Sequence, residues 1–254
     1  MEGCAVQRLM GLTRRCAEDY RMIEPGDRIA VGVSGGKDSL ALLLLMAKLR
    51  EYWPGGFELE ALTVDMGLGM DFSPVADFCR ELGVPYTVIP TKIGAIIFDY
   101  RKESNPCSMC AKLRRGALHN AMLERGIHKV ALGHHRDDAV ETFLMSLLYE
   151  GRLSCFQPVT QLDRTGITQI RPMLYISEAS IEHFSERMQL PVVRNLCPAD
   201  KSTKREQTKE LLQALSNDYP GVKNRIFGAM QRLPLPEWGP EHPGRLRDRG
   251  ERDE

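Results

Sequence analysis

Ser34-Gly35-Gly36-Lys37-Asp38-Ser39 places two glycines, two hydroxyls, a lysine and a carboxylate in six consecutive residues. Two glycines let the backbone approach an anion closely. Free N–H groups at a helix start point at such an anion, and the helix dipole favours negative charge there. Lys37 adds a mobile cation, and Ser34 and Ser39 add hydroxyl donors. This is the chemistry of a phosphate-binding loop. It is not a Walker A loop, because Val31 and Asp38 stand where that pattern needs Gly and Ser or Thr. A second group of chemically active residues is Cys107-Ser108-Met109-Cys110, with Cys197 following 87 residues after Cys110. A C-x-x-C unit at a helix start has lowered thiol pKa values. Three uses fit it. A structural zinc would need a fourth ligand, and none is evident; a redox dithiol needs only Cys107 and Cys110; an iron–sulfur cluster accepts three Cys ligands and leaves one iron open.

The elements that position these residues follow from apolar runs and breakers. Ile29-Ala30-Val31-Gly32-Val33 has strand length and precedes the loop, and Leu40 to Met46 after it reads as a buried helix. Residues 1 to 24 read as a helix ended by Pro25-Gly26-Asp27. Strands are predicted at Phe57 to Val64 (ending at Asp65), Tyr86 to Ile89 and Lys129 to Leu132 (ending at Gly133). Helices are predicted at Asp71 to Leu82, Cys107 to Arg125, Asp137 to Tyr149 and Ser177 to Gln189. Gln157 to Ile170 reads as loop or short hairpin, and the chain from there to about Arg232 as helical. The alternation predicts an α/β fold with a doubly wound, mostly parallel sheet and helical additions at both ends. In such sheets the ligand lies at the carboxyl ends of the strands. Ser34, Asp65 and Gly133 to Asp138 all fall at such ends.

The hexapeptide resembles the SGGxDS signature of the PP-loop ATP pyrophosphatases. Those enzymes split ATP between the α and β phosphates and place AMP on a carbonyl oxygen, which a nucleophile then displaces. The whole ordered set resembles the TtcA-type tRNA 2-thiocytidine synthetase family within them. It comprises Ser34 to Ser39, Cys107 to Cys110 with Leu113-Arg114-Arg115-Gly116, Gly133-His134-His135-Arg136-Asp137-Asp138, Arg171-Pro172 and Asn195-Leu196-Cys197, over about residues 8 to 232. The resemblance implies a [4Fe–4S] cluster on Cys107, Cys110 and Cys197. It implies ATP and Mg²⁺ held by Ser34, Gly35, Gly36, Lys37, Asp38, Ser39, Asp65 and Gly133. Lys37, Asp38 and Asp138 are then the catalytic residues, with Asp138 a carboxylate for Mg²⁺; the structural alternative there is a helix capped by Asp137. Arg114, Arg115 and Arg171 are candidate tRNA contacts. The implied reaction is ATP-dependent thiolation at C2 of cytidine 32 in a tRNA, with sulfur from a cysteine desulfurase or sulfide, by a protein that is often a homodimer. Thiolases of uridine 54 carry zinc-binding pairs at their ends. Cys4 and Cys16 do not form such a pair, and residues 198 to 254 contain no Cys. Pro198-Ala199-Asp200-Lys201 also departs from the Gly-Ser type of the cytidine enzymes. The alternatives are a 2-thiouridine-type enzyme, an amine ligase of the lysidine synthetase type, or a non-catalytic iron–sulfur RNA-binding protein.

At 254 residues the chain can bury a full core. Thirty-four basic and 34 acidic side chains cancel, so binding to nucleic acid would rest on local charge. Arg101 to Arg115 and Arg194 to Arg232 are the basic segments; a solvated helix face explains them equally well. An odd count of seven cysteines argues against a disulfide framework. Cys79, in an amphipathic helix, reads as core packing. The longest apolar stretch, Ser39 to Ala47, is too short to span a membrane. Met1 to Arg15 has no h-region of a signal peptide, so a cytoplasmic protein is expected. Three parts are expected: an N-terminal helix (1–24), a PP-loop ATP-binding and thiolation domain (25–232) and a disordered charged tail (233–254).

Overall fold

A computed structural model describes residues 2–101, 106–197 and 204–232. The predicted tail and the Pro198 to Lys201 segment lie outside the described residues. In chain order the elements are α1 (Glu2–Asp19), β1 (Arg28–Gly32), α2 (Lys37–Arg50), β2 (Glu58–Asp65), α3 (Ser73–Glu81), β3 (Tyr86–Pro90), α4 (Ile93–Ala95) running into a π-helical turn (Ile96–Arg101), and α5 (Pro106–Glu124). Then come β4 (Lys129–Ala131), α6 (Arg136–Met145) running into a second π-helical turn (Ser146–Glu150), β5 (Val159–Leu162), β6 (Ile167–Ile170), α7 (Glu178–Arg187), α8 (Lys204–Asp218) and α9 (Val222–Arg232).

The six strands form one sheet in the order β3-β2-β1-β4-β6-β5. All pairs are parallel except the β5–β6 hairpin. The strand order reverses between β1 and β4, which pair in register as Ile29 with Lys129 and Val31 with Ala131. Their carboxyl ends therefore open one crevice, at the switch point where α/β sheets bind ligands.

The period of two sorts β1 between two cores. Ile29 and Val31 enter the larger one, and Ala30 enters the smaller one on the opposite face. On the larger side α2 is buried nearly all round, from Ser39 to Ala47 and at Leu49, and it packs against α1 and α7. Its apolar run has no polar face because it is a central helix. On the other side α5 contributes Leu118 and Met122 to a thinner cluster. Gly32 on that face has no side chain, and its size leaves space beneath α5.

The first helix ends at Asp19 rather than Glu24. Arg21 takes a left-handed φ of 46°, and the Met22 N–H reaches back to Ala17 O at 2.8 Å, which closes the last turn. The helix predicted to Tyr149 leaves α geometry after Met145. Leu147, Leu148 and Tyr149 continue the apolar run that suggested it, yet all three are exposed. No helix of the described residues is long and apolar enough to cross a membrane.

Candidate active site

The phosphate loop is built by its own hydroxyls. Ser39 Oγ donates to Gly36 O at 2.9 Å and accepts from the Ser34 N–H at 3.1 Å, and Ser34 Oγ accepts from the Gly36 N–H at 3.3 Å. Gly36 is the N-cap of α2 and has no side chain to close the helix start. The first-turn N–H groups of α2 are thus unshielded by a cap, as an anion site requires. Gly35 has φ +83°, and a Cβ there would stand 2.9 Å from Val193 Cβ. Thr63 Oγ1 donates to Val33 O at 2.8 Å and accepts from Tyr86 OH at 2.9 Å, which fixes the strand end feeding the loop. Gly133, at the end of β4, packs so closely on the start of α2 that a Cβ would lie 3.2 Å from the Asp38 carbonyl and the Ser39 nitrogen.

Carboxylates surround Lys37. Its Nζ is 3.6 Å from Asp38, 3.4 Å from Glu178 and 3.6 Å from Glu182. Burial opposes the charge on Lys37, but Asp38 and Glu178 outweigh it and raise its pKa. Burial raises the Asp38 carboxyl, against the pull of His135 and Lys37. His135 Nε2 lies 3.9 Å from Asp38 and 3.4 Å from Asp138.

The cap of α6 is not Asp137. His135 Nδ1 accepts from the Asp138 N–H at 3.3 Å, and Asp138 Oδ2 accepts from the His135 N–H at 3.0 Å, a reciprocal box. This fixes Asp138 beside the loop, with Arg205 Nη1 on its other oxygen at 3.0 Å. Asp137 turns inward instead. It accepts from the Glu178 N–H at 2.9 Å and from Lys223 at 2.9 Å, tying the starts of α6 and α7 to α9. Burial opposes its charge, but these hydrogen bonds prevail and hold its pKa below the usual carboxylate range.

A cavity of about 680 Å³ lies between the sheet and α5. Ser34 lines one end of it, and Ala111, Arg114, Arg115 and Leu118 of α5 line its side. Arg171 is buried among its walls, 5% exposed, and is not on a surface where RNA phosphates could reach it. Its Nη1 donates to Thr160 Oγ1 at 3.0 Å and to Gln157 O, its Nη2 donates to Gln169 Oε1 at 3.2 Å, and it lies 4.9 Å over the Phe156 ring. No carboxylate among the described residues pairs with it. Burial and the Arg171 charge lower His134 to about 4, so this imidazole is neutral. Because Gln169 Oε1 accepts from Arg171, its Nε2 donates to His119 Nε2 at 3.2 Å, and His119 is then protonated on Nδ1.

Cys107 and Cys110 stand on the first turn of α5, immediately before the residues that line the cavity. Cys107 is exposed; Cys110 and Cys197 are half-buried. Burial raises the Cys110 thiol, Arg114 lowers it, and charge on Cys197 and Cys107 raises it further, so the three sulfurs share one neighbourhood. Three soft donors whose charges repel one another suit a cationic iron cluster. They are not closed around a point: among the described residues no three His, Cys, Asp or Glu side chains stand at metal-binding spacing. Cys16 and Cys79 are buried in the core. Asp65, at the carboxyl end of β2, closes a turn by accepting from the Gly67 N–H at 2.9 Å.

The structure thus gathers Ser34 to Ser39, Gly133 and Asp138 at one crevice and sets Arg114, Arg115 and Arg171 around the adjoining cavity. Glu178, His135, Arg205 and Lys209 also belong to the loop's surroundings; Glu178 carried no sequence signal, His135 was legible only as part of the Gly133 to Asp138 motif, and Arg205 and Lys209 only as charges of the Arg194 to Arg232 segment. Among known proteins, the PP-loop domain family matches residues 10–215. A tRNA-cytidine(32) 2-sulfurtransferase of Anaeromyxobacter dehalogenans (strain 2CP-C) is 39% identical over 227 residues, 88% of this chain and 78% of that protein. Its counterpart in Pelobacter propionicus is 40% identical over 231 residues, 89% and 86% of the two chains. Among solved structures, the U34-tRNA thiolase NcsA from Methanococcus maripaludis with its [4Fe-4S] cluster shares the fold. Its TM-score is 0.73 at 24% identity, over 89% of this chain and 77% of that one.

Proposed function

Because the chain belongs to the PP-loop domain family and, within it, to the family of the tRNA-cytidine(32) 2-sulfurtransferases, we propose that it thiolates cytidine 32 of tRNA at the expense of ATP. The observation that carries this reading is the shared cavity: a phosphate loop at one end and, on the flanking helix, two of three neighbouring cysteines. An amine ligase would have no use for those cysteines.

In this reading Mg–ATP lies on Ser34 to Ser39. The α2 N–H groups and Lys37 stabilise the charge that develops on the leaving phosphates, and Asp138, fixed by its box with His135, carries the metal. The cytidine is unstacked into the cavity, as chemistry on a base requires. Its C2 oxygen attacks the α-phosphorus, pyrophosphate departs, and a sulfur nucleophile then displaces AMP, which keeps the original oxygen. Neutral His134 brings no charge to the cavity wall beside the base. A [4Fe–4S] cluster held by Cys107, Cys110 and Cys197 would supply an iron free to bind sulfide. The sulfur comes from sulfide or a cysteine desulfurase. Arg114 and Arg115, on the α5 side of the cavity, meet tRNA phosphates.

The deciding experiment is iron and sulfide analysis of protein purified without oxygen, together with thiolation of tRNA. About four iron and four sulfide per chain, lost in Cys197→Ala along with 2-thiocytidine formation, is the expected result. Protein that takes up no iron on anaerobic reconstitution would sink the cluster assignment.

A further inference from the structure

The basic segment from Arg194 to Arg232 does not give all its charge to solvent. Helices α8 and α9 bring three cations to the carboxylates around the phosphate loop. Arg205 reaches Asp138, Lys209 Nζ reaches Glu178 Oε1 at 2.8 Å, and Lys223 reaches Asp137. The Lys223 pair is tucked between helices and is structural. The Arg205 pair differs in two respects. Its side chain keeps 45% exposure, where an ion pair contributes little and exchanges readily. It also sits one imidazole away from the first turn of α2, because Asp138 and Asp38 both face His135 Nε2.

The cations around the loop are all engaged: Asp38, Asp138, Glu178 and Glu182 face Lys37, Arg205 and Lys209, and Asp137 holds Lys223 and Arg136. A triphosphate adds negative charge that none of these pairs has yet been released to meet. A divalent metal on Asp138 offsets that charge and at the same moment takes Arg205's partner. The freed guanidinium stays close, since Nη2 donates to Thr142 Oγ1 at 3.2 Å and Nε lies 4.0 Å from Glu141. Its forked donors match phosphate oxygens.

We propose that Arg205 is a phosphate ligand of the nucleotide site, one that holds Asp138 in the nucleotide-free protein and passes to the β- and γ-phosphates when Mg²⁺ takes Asp138. Lys209 acts beside it as a positioning residue. By holding Glu178 more closely than Lys37 does, it lets Lys37 turn to the same phosphates. The inference rests on the assignment of Ser34 to Ser39 as the ATP site.

Calorimetric binding of Mg–pyrophosphate, Mg–ATP and AMP to the full chain tests it, with Arg205→Ala and, as a variant that keeps a hydrogen-bonding side chain, Arg205→Gln. Both are expected to weaken Mg–pyrophosphate and Mg–ATP about tenfold or more and to leave AMP unchanged. Both should also lower the Mg²⁺ concentration needed for half-maximal ATP binding, because Asp138 no longer has a competing cation. Unchanged pyrophosphate affinity would overturn the proposal. So would a parallel loss of AMP and pyrophosphate, which would make α8 a mere anchor. Wild-type protein that binds neither Mg–ATP nor Mg–pyrophosphate would overturn the nucleotide site itself, and this inference with it.

Discussion

Substituting Gly35 by alanine isolates the strain that the phosphate loop imposes on its own sequence. Two costs add. At φ +83° an L-residue pays roughly 1 kcal/mol relative to glycine. The new Cβ would also meet Val193 Cβ at 2.9 Å and Cγ2 at 3.2 Å. Real Cβ atoms do not approach that closely, so the loop and the Val193 strap must part, an overpacking cost of about 1–3 kcal/mol. The strap is tied to the loop by the Val193 N–H on Gly35 O at 2.9 Å, so the strain is not relieved by simple drift. Gly35→Ala should therefore destabilise by about 2–4 kcal/mol. Gly36→Ala should cost under about 1 kcal/mol, since Gly36 has φ −80° and its added Cβ would meet only Ser34 Oγ, at 3.4 Å. Urea denaturation of both variants checks the contrast. A double-mutant cycle with Val193→Gly, which removes both the Cβ and the Cγ2 that the new methyl would meet, separates the terms: the steric part should return as a favourable coupling of about 1–2 kcal/mol, while the left-handed cost remains. A coupling of zero, or a Gly35→Ala protein as stable as Gly36→Ala, would refute the argument.

Two further effects follow from buried charge. Burial lifts the Glu141 carboxyl from 4.5 to about 7. A raised folded-state pKa leaves stability intact below pH 4.5 and removes it as the pH climbs through 7. Glu141→Gln should then stabilise the protein by on the order of 1–3 kcal/mol at pH 8 and not at pH 4.5. Denaturation midpoints across that range test this, and a difference independent of pH would contradict it. Arg171→Met would leave Gln157 O and Gln169 Oε1 without their donor and should cost about 2–4 kcal/mol. It should also move the His134 titration upward from about 4, since the Arg171 charge is the largest force lowering it after burial. NMR of the imidazole reports the shift, and an unmoved titration would mean that burial alone sets it.

What the sequence made legible was local. The strand, loop and helix around Ser34 to Ser39 are contiguous, and their glycines, hydroxyls and apolar runs need no distant partner to be interpreted. The crevice was legible because strand ends alone place Ser34 and Gly133, and the parallel register of β1 and β4 then brings them together. The structural alternative for α6, a cap by Asp137, does not hold, although Asp137 is a better N-cap by residue type than His135. What overrides that preference is Lys223, 86 residues away, which draws Asp137 inward. The cations of α8 fitted a nucleic-acid surface and a solvated face equally well for the same reason, as charge along a helix says nothing of which carboxylates fold against it. Arg171 was read as a contact for RNA because a lone arginine beside a proline carries no mark of burial.

The cavity was hidden for a different reason, and that reason explains its use. Each face of a parallel sheet must be covered. Here the crossover from β3 to β4 places α5 over a sheet whose side facing it includes Gly32. A larger residue there would have closed the space. Gly32 at the centre of the sheet, with the Arg171–Gln169–His119 chain along one wall, keeps it open and polar at chosen points. The same helix that roofs the space begins with Cys107 and Cys110. In the proposed reaction, a substrate base under α5 would therefore have the activating loop and the start of the cysteine-bearing helix as neighbours.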